Sequence, residues 1–216
     1  MIKACIFDLD GVIVDTAKYH YLAWKRLANE LGFDFTESQN ERLKGVSRMT
    51  SLEILLEIGG LTFDEETKLR FADKKNQWYV DYITRMTPGE ILPGVIDFLN
   101  QLKSKKIKIA LGSASRNALT ILKQIEMMDY FDVVIDGTKV SHAKPNPEVF
   151  LKGAEELGVL PSECIVFEDA EAGIEAAING KMHSVGIGLP EILGKADMVI
   201  PNFIGISPEK ILSLLH

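Results

Sequence analysis

The 216-residue sequence has no long hydrophobic run; nothing in it approaches the ~20 consecutive apolar residues that a membrane-spanning helix needs. Met1 to Gly11 holds one lysine and a very short apolar stretch before acidic residues, which is not the pattern of a secretory leader. No membrane partner and a cytoplasmic location are therefore the expectations. Cysteine is nearly absent. The two present, Cys5 and Cys164, sit in apolar runs without CxxC or Cys/His spacing. Both read as buried, reduced thiols rather than a disulfide or a thiolate metal site. Positive charge is in deficit, with 24 Lys and Arg against 31 Asp and Glu, a formal net charge of −7. Such a surface repels nucleic acid and anionic lipid at long range, so neither is an expected partner. A phosphate-bearing ligand must then be held locally, by a few cations, a metal or backbone amides. Internal repeats and low-complexity segments are also lacking.

What is present is an ordinary globular balance, 46% hydrophobic and 25% charged, in a length that suits one or two domains. Ala4-Cys5-Ile6-Phe7 is a continuous apolar run that reads as a buried central strand, and similar runs recur at Ile107 to Leu111, Val133 to Ile135, Cys164 to Phe167 and Ser184 to Ile187. Helical patterns lie between most of them. Val95, Phe98, Leu99 and Leu102 keep i, i+3, i+4, i+7 spacing, and Asn146-Pro147 with Gly158 brackets another helix. Alternating strands and helices predict an α/β fold, a Rossmann-like parallel sheet covered on both faces.

One stretch breaks the alternation. Asp15 to Ile91 carries helical signals and no strand. Trp24, Leu27, Ala28 and Leu31 form one stripe that Gly32 ends, and Thr50 to Glu53 and Thr62 to Glu65 both fit a capping box. A long helix is expected to run to about Met86. Residues 1–14 and 92–216 are thus read as the α/β core domain and 15–91 as an inserted helical cap domain. Two chain crossings make a natural hinge, and a hinged lid is a gating device.

Ligands in open α/β sheets bind beyond the carboxyl ends of strands, and acids and phosphate-binding groups collect there. Asp8, Asp10 and Gly11 follow the first strand. Two adjacent carboxylates repel unless they share a cation or proton, although a solvated acidic turn accounts for the same residues. Leu111-Gly112-Ser113-Ala114-Ser115 follows a second strand, with Arg116 and Asn117 opening a helix. A hydroxyl and free amides there suit a phosphate oxygen, and an N-capping serine suits them equally. Lys144 lies before Pro145-Asn146-Pro147, and Glu168-Asp169 follow another strand, completing an oxygen set for a hard cation such as magnesium. Each element alone is weak. Together they suit phosphoryl transfer: Asp8 attacks phosphorus, Asp10 moves a proton, and Lys144 with Mg2+ neutralises charge.

The ordered set Asp8-Leu9-Asp10-Gly11-Val12, Ser115, Lys144 and Glu168-Asp169 resembles the four motifs of the haloacid dehalogenase (HAD) superfamily, and the insertion resembles its small α-helical cap. Within the superfamily the likeness is to its sugar-phosphate mutases, through Phe7 to Asp15, His20, Lys44 to Arg48 with Ser51-Leu52, Ile107 to Asn117 and Lys144-Pro145. The resemblance implies interconversion of β-D-glucose 1-phosphate and glucose 6-phosphate through a β-glucose 1,6-bisphosphate. It implies Asp8 as nucleophile and Asp10 as general acid/base. It assigns Mg2+ to Asp8, the Asp10 carbonyl and Asp169, with Glu168 close, and the transferring phosphoryl to Ser113, Ala114, Ser115 and Lys144. Thr16 and His20 would couple cap closure to Asp10, and Lys44, Gly45, Val46, Ser47 and Arg48 would contact substrate, with Arg48 at the distal phosphate and Arg116 and Asn117 on the core side. Arg116 stands where relatives carry lysine, which keeps the cation, and Ala170 where a serine is usual, which loses a hydroxyl.

Plainer readings exist for the cap residues. Lys44-Gly45 fits a helix terminus, Arg48 a solvated loop cation, and His20 a packed histidine. Their joint occurrence in the insertion favours the phosphate reading. The alternative activity is a sugar-phosphate phosphatase with the same nucleophile; a phosphoacceptor signalling module ranks last, because it needs neither Asp10 nor a lid. Small-molecule sugar phosphates are the expected partners, and a monomer is the expected state.

Overall fold

The structure is a computed structural model that describes residues 1–43 and 46–214. The chain divides into two compact units, 1–15 with 87–216, and 16–86. The first strand, β1 (Ala4–Phe7), is apolar throughout and fully buried. It leads into the helical unit, made of α1 (Ala17–Glu30), α2 (Glu37–Asn40), α3 (Arg48–Gly59) and α4 (Glu65–Ile83). The sheet unit resumes with α5 (Val95–Ser104), β2 (Lys108–Gly112), α6 (Ala118–Gln124), β3 (Val133–Ile135) and α7 (Glu148–Leu157). It ends with β4 (Cys164–Glu168), α8 (Glu171–Asn179), β5 (His183–Ile187), α9 (Pro190–Leu193), β6 (Met198–Ile200) and α10 (Pro208–Leu214).

The strands form one six-stranded sheet in the order β3-β2-β1-β4-β5-β6, parallel throughout. β1 pairs with β2 on one side and β4 on the other, so the chain reverses its winding direction there. The carboxyl ends of β1, β2 and β4 therefore meet at the crevice where such sheets take ligands. Side chains alternate across the sheet. Phe7 and Phe167 stack at 4.5 Å on the face covered by Phe98 of α5 and by Phe203. Ile6, Ala110 and Val166 pack on the other face with Phe150 and Ala154 of α7 and Ala176 of α8. Each such fully buried large side chain contributes about 1.5–3 kcal/mol. Pairing aligns Cys164 with Ala4 and Cys5 with Ile165, which puts the two thiols on opposite faces; both are free and buried.

In the helical unit, Trp24, Leu27 and Ala28 of α1 and Ala72, Trp78 and Tyr79 of α4 are buried, with Leu52, Leu55 and Leu56 of α3. Two helix starts differ from those read off the sequence. α3 begins one turn earlier, because Ser47 is the N-cap and its hydroxyl accepts from the Thr50 amide. α4 is capped by Asp64, which accepts from Thr67, rather than by Thr62. A reciprocal capping box does occur at Thr36 and Gln39. α4 also stops at Ile83, short of Met86, and β6 is a strand the sequence reading did not find.

Candidate active site

The turn after β1 holds Asp8 with 6% of its surface exposed. Its Oδ2 accepts from the Asp10 amide at 3.0 Å, and its Oδ1 lies 2.6 Å from the Lys144 ammonium. That ammonium also reaches Glu168 Oε2 at 2.7 Å, and Glu168 Oε1 accepts from the Ala170 amide at 3.1 Å. All three side chains of this bridge are more than nine-tenths buried. Gly11 closes the turn with φ +80°, and a Cβ there would stand 2.0 Å from Asp169 Oδ2. Only glycine gives both the backbone angle and the room for that carboxylate.

Asp8, Glu168 and Asp169 offer oxygens that all lie within 4.8 Å of one another. Burial drives the Asp169 carboxyl up to about 9, and the charges of Glu168, Asp8 and Asp10 add to it against the pull of Lys144. Burial likewise raises Glu168 to about 7, with Lys144 opposing and Asp8 adding. Burial by itself pulls the Lys144 ammonium down, but Asp8 and Glu168 outweigh it and hold the group firmly protonated. One ammonium thus faces three crowded acids. An all-oxygen donor set with surplus negative charge fits a hard divalent cation, which relieves the repulsion that protons otherwise must.

The loop after β2 is built on a serine ladder. The Ser113 amide donates to Ile135 O at 2.9 Å, Ser113 Oγ accepts from the Ser115 amide at 3.1 Å, and Ser115 Oγ accepts from the Asn117 amide at 3.2 Å. Asn117 caps α6, while Arg116 and Ala114 are exposed. Gly137, just past β3, donates its amide to Ser115 O at 3.1 Å, and a Cβ there would come 2.2 Å from Ala114 O. Gly173 plays a similar part under Glu168, where a Cβ would fall 2.0 Å from the carboxyl carbon. Both glycines are positional supports that the sequence reading missed. Their spacing carries no signal until the loops they touch are known.

The helical unit holds a second cluster. His20 Nδ1 lies 2.9 Å from the Lys75 ammonium, whose side chain is buried between Trp24 at 4.5 Å and Tyr79 at 4.8 Å. The His20 ring sits 4.1 Å from that of Tyr79. Burial, then Lys75, then Arg48 hold the imidazole well below its usual pKa, so it is neutral. Arg48 opens α3 with Nη1 3.9 Å from Asp73, Ser47 is its cap, Val46 is exposed, and Thr16 is fully buried at the start of α1. Lys44 and Gly45 lie outside the described residues. Lys75 was not singled out from sequence, since a lysine in a polar helix reads as a solvated one.

The structure therefore brings Asp8, Asp10, Lys144, Glu168 and Asp169 together, with Ser113, Ala114, Ser115, Arg116 and Asn117 on the loop after the adjoining strand. It places Thr16, His20, Val46, Ser47 and Arg48 on the other unit. Among the described residues, no helix is long and apolar enough to cross a membrane.

Comparison with known proteins agrees with this arrangement. A profile of the haloacid dehalogenase-like hydrolases matches residues 2–181. A Bacillus subtilis (strain 168) protein named beta-phosphoglucomutase is 44% identical over 220 residues, covering 99% of this chain and 94% of its own length. A Thermotoga maritima protein named phosphorylated carbohydrates phosphatase is 34% identical over 99% of this chain and 98% of its own. The crystal structure of beta-phosphoglucomutase from Clostridium difficile matches with a TM-score of 0.93 at 46% identity, over 100% of this chain and 97% of the other. The profile match, the near-full-length relatives and the buried acid–lysine site together place the chain in the haloacid dehalogenase-like hydrolase family.

Proposed function

We propose that the protein is a phosphoglucomutase that interconverts β-D-glucose 1-phosphate and glucose 6-phosphate. The observation that carries this reading is the 44% identity to a beta-phosphoglucomutase over 99% of this chain. Asp8 is the nucleophile. Its carboxylate oxygen forms a bond to phosphorus as the bond from phosphorus to the sugar oxygen breaks, and Asp10 supplies the proton that oxygen takes up. The aspartyl phosphate gives its phosphoryl to the free hydroxyl of a sugar monophosphate, whose proton goes to Asp10; the bisphosphate so formed turns end for end, and Asp8 takes the phosphoryl from its other end, leaving the isomeric monophosphate. The shared intermediate is β-glucose 1,6-bisphosphate.

Asp8, the Asp10 carbonyl and Asp169, with Glu168 beside them, would hold Mg2+, which when bound supplies positive charge next to the phosphoryl oxygens. Lys144 offsets charge on the same oxygens, and Ser113, Ala114 and Ser115 offer them amide and hydroxyl donors. Residues 15–91 serve as the cap domain and 1–14 with 92–216 as the α/β core domain. In the cap domain Thr16 and His20 tune closure, Lys44, Gly45, Val46 and Ser47 contact substrate, and Arg48 takes the phosphate that is not transferred. Arg116 and Asn117 contact substrate from the core. Sugar phosphates are the partners, and the protein acts as a cytoplasmic monomer.

A phosphatase is the second reading, favoured by the 34% identity to a carbohydrate phosphatase over 99% of this chain. One assay separates the two. β-Glucose 1-phosphate is supplied with Mg2+ and a trace of the bisphosphate, and glucose 6-phosphate and free phosphate are both followed. Glucose 6-phosphate should far exceed phosphate, after a lag that bisphosphate shortens. Arg48→Ala should lower that ratio. Phosphate release that matches isomerisation, with no bisphosphate effect, would leave the phosphatase.

A further inference from the structure

Lys144 sits in a segment, 141–147, that belongs to no helix or strand. Its backbone groups draw on no ladder; the Asn146 amide donates to Ala143 O at 3.0 Å, and side chains hold the rest. Glu148, the first residue of α7, turns back onto this segment. Its Oε2 accepts from the amides of Ser141 and His142, each at 2.9 Å, and lies 3.2 Å from His142 Nδ1. Its Oε1 pairs with the Lys152 ammonium at 2.7 Å, one turn along the same helix. The Lys152 bond, then the His142 and Ser141 amides, hold the carboxyl down to about 2, so it is an ionised acceptor at any working pH. The far end of the segment is tied separately. Asn146 Oδ1 accepts from the Glu148 amide, and Pro145 O accepts from Asn179 Nδ2, both at 3.0 Å.

We propose that Glu148 is a positioning residue for phosphoryl transfer, whose carboxylate fixes the segment that sets the Lys144 ammonium between Asp8 and Glu168. The inference rests on the assignment of Lys144 to the transferring phosphoryl. Lysine reaches its partners on a flexible stem, so the placement of its ammonium is only as good as that of its backbone. Nothing in the bridge to Asp8 and Glu168 constrains residues 141 and 142; Glu148 does, by two amide bonds to one oxygen. An acid in the first turn of a helix is also favoured by the helix dipole alone. That role would stabilise α7 without reference to Lys144.

The test uses the full chain with Mg2+, β-glucose 1-phosphate and bisphosphate, measuring kcat, KM and thermal unfolding for single and double variants. Glu148→Ala should lower kcat ~10–100-fold, the scale of a misplaced catalytic group, with KM changed less than about threefold. Glu148→Gln should stay within about threefold of wild type, because its amide oxygen still accepts from both backbone N–H groups. Lys152→Ala should behave like wild type. Placed on Lys144→Ala, Glu148→Ala should add less than about twofold, since residues that act through one another are not additive. If Glu148→Ala does not fold, Glu148→Ser, also too short to reach the amides, carries the same expectation with a residue suited to a helix start. Wild-type kcat in Glu148→Ala, an equal loss with and without Lys144, or a loss in Glu148→Gln as large as in Glu148→Ala overturns the proposal. Undiminished kcat in Lys144→Ala is a separate result, which removes the role of Lys144 itself.

Discussion

The Lys144 ammonium stands 2.6 Å from Asp8 Oδ1 and 2.7 Å from Glu168 Oε2, so one cation joins the ends of two neighbouring strands. Removing it leaves two buried carboxylates facing each other. Breaking a buried ion pair at one partner costs about 3–5 kcal/mol, and losing one preorganised charge at a reacting oxygen costs ~10²–10³-fold in rate. Lys144→Ala should therefore unfold at a lower temperature and turn over ~10²–10³-fold more slowly. Calorimetry and steady-state kinetics on one preparation check both effects. Full activity in that variant would exclude Lys144 from the transfer step.

Asp8→Asn should fold normally and lose almost all turnover, because an amide oxygen is a poor nucleophile toward phosphorus. Asp10→Asn should slow transfer ~10²–10⁴-fold while Mg2+ still binds through the backbone carbonyl. Single-turnover kinetics and calorimetric Mg2+ titration distinguish the two variants. Loss of Mg2+ binding in Asp10→Asn with unchanged single-turnover chemistry would reverse the assigned roles.

Gly173 leaves the room that the buried Glu168 side chain fills, since a Cβ there would reach 2.0 Å from the carboxyl carbon. Gly173→Ala should push Glu168 off Lys144, weaken Mg2+ binding and slow turnover, although residue 173 touches no substrate. The spacing lies inside helix α8, where alanine is otherwise the better residue. A Gly173→Ala protein with wild-type Mg2+ affinity and a higher unfolding temperature would show that Glu168 relaxes without cost.

The crowded acids make a pH prediction for the metal-free protein. Glu168 and Asp169 are raised to about 7 and about 9 in the folded state, above their unfolded values near 4. Folded protein then holds more protons than unfolded chain across that window. By linkage its stability is greatest below the unfolded values and falls as pH rises toward the folded ones. In EDTA the unfolding temperature should drop between pH 5 and 9, and Mg2+ should flatten the slope by replacing the protons. Asp169→Asn should flatten it without metal. A slope that Asp169→Asn leaves intact would assign it to other groups.

Chain order and local chemistry carried much of this protein in plain sight. β1 was legible because all four of its residues are apolar and the run ends in Asp8, Asp10 and Gly11. α5 was legible because Val95, Phe98, Leu99 and Leu102 are the residues that the fold buries. β6 was not read, although it matches β3 in length, apolar composition, edge position and burial; a run of three apolar residues marks a strand only once the neighbour it pairs with is known. The α3 start was misplaced because Ser47 and Thr50 are both capping residues, and only the Ser47 hydroxyl accepting from the Thr50 amide decides between them.

The site divides the same way. Asp8, Asp10, Ser113, Ser115, Lys144, Glu168 and Asp169 could be chosen from sequence, since each lies near a strand end or a helix start and carries chemistry of the right kind. That Lys144 bridges Asp8 and Glu168 was decided by the sheet. The order β2-β1-β4 sets residues far apart in the chain side by side, and no local pattern encodes a neighbour 136 positions away. Lys75 was hidden for the same reason. A helix of polar residues predicts a solvated lysine, and only the rings of Trp24 and Tyr79, packed around it, turn that position into the interior. Sequence determined which groups were available, because strand ends, caps and charge are local properties. Tertiary structure decided which of them meet, because burial and charge pairing depend on segments that only folding brings together.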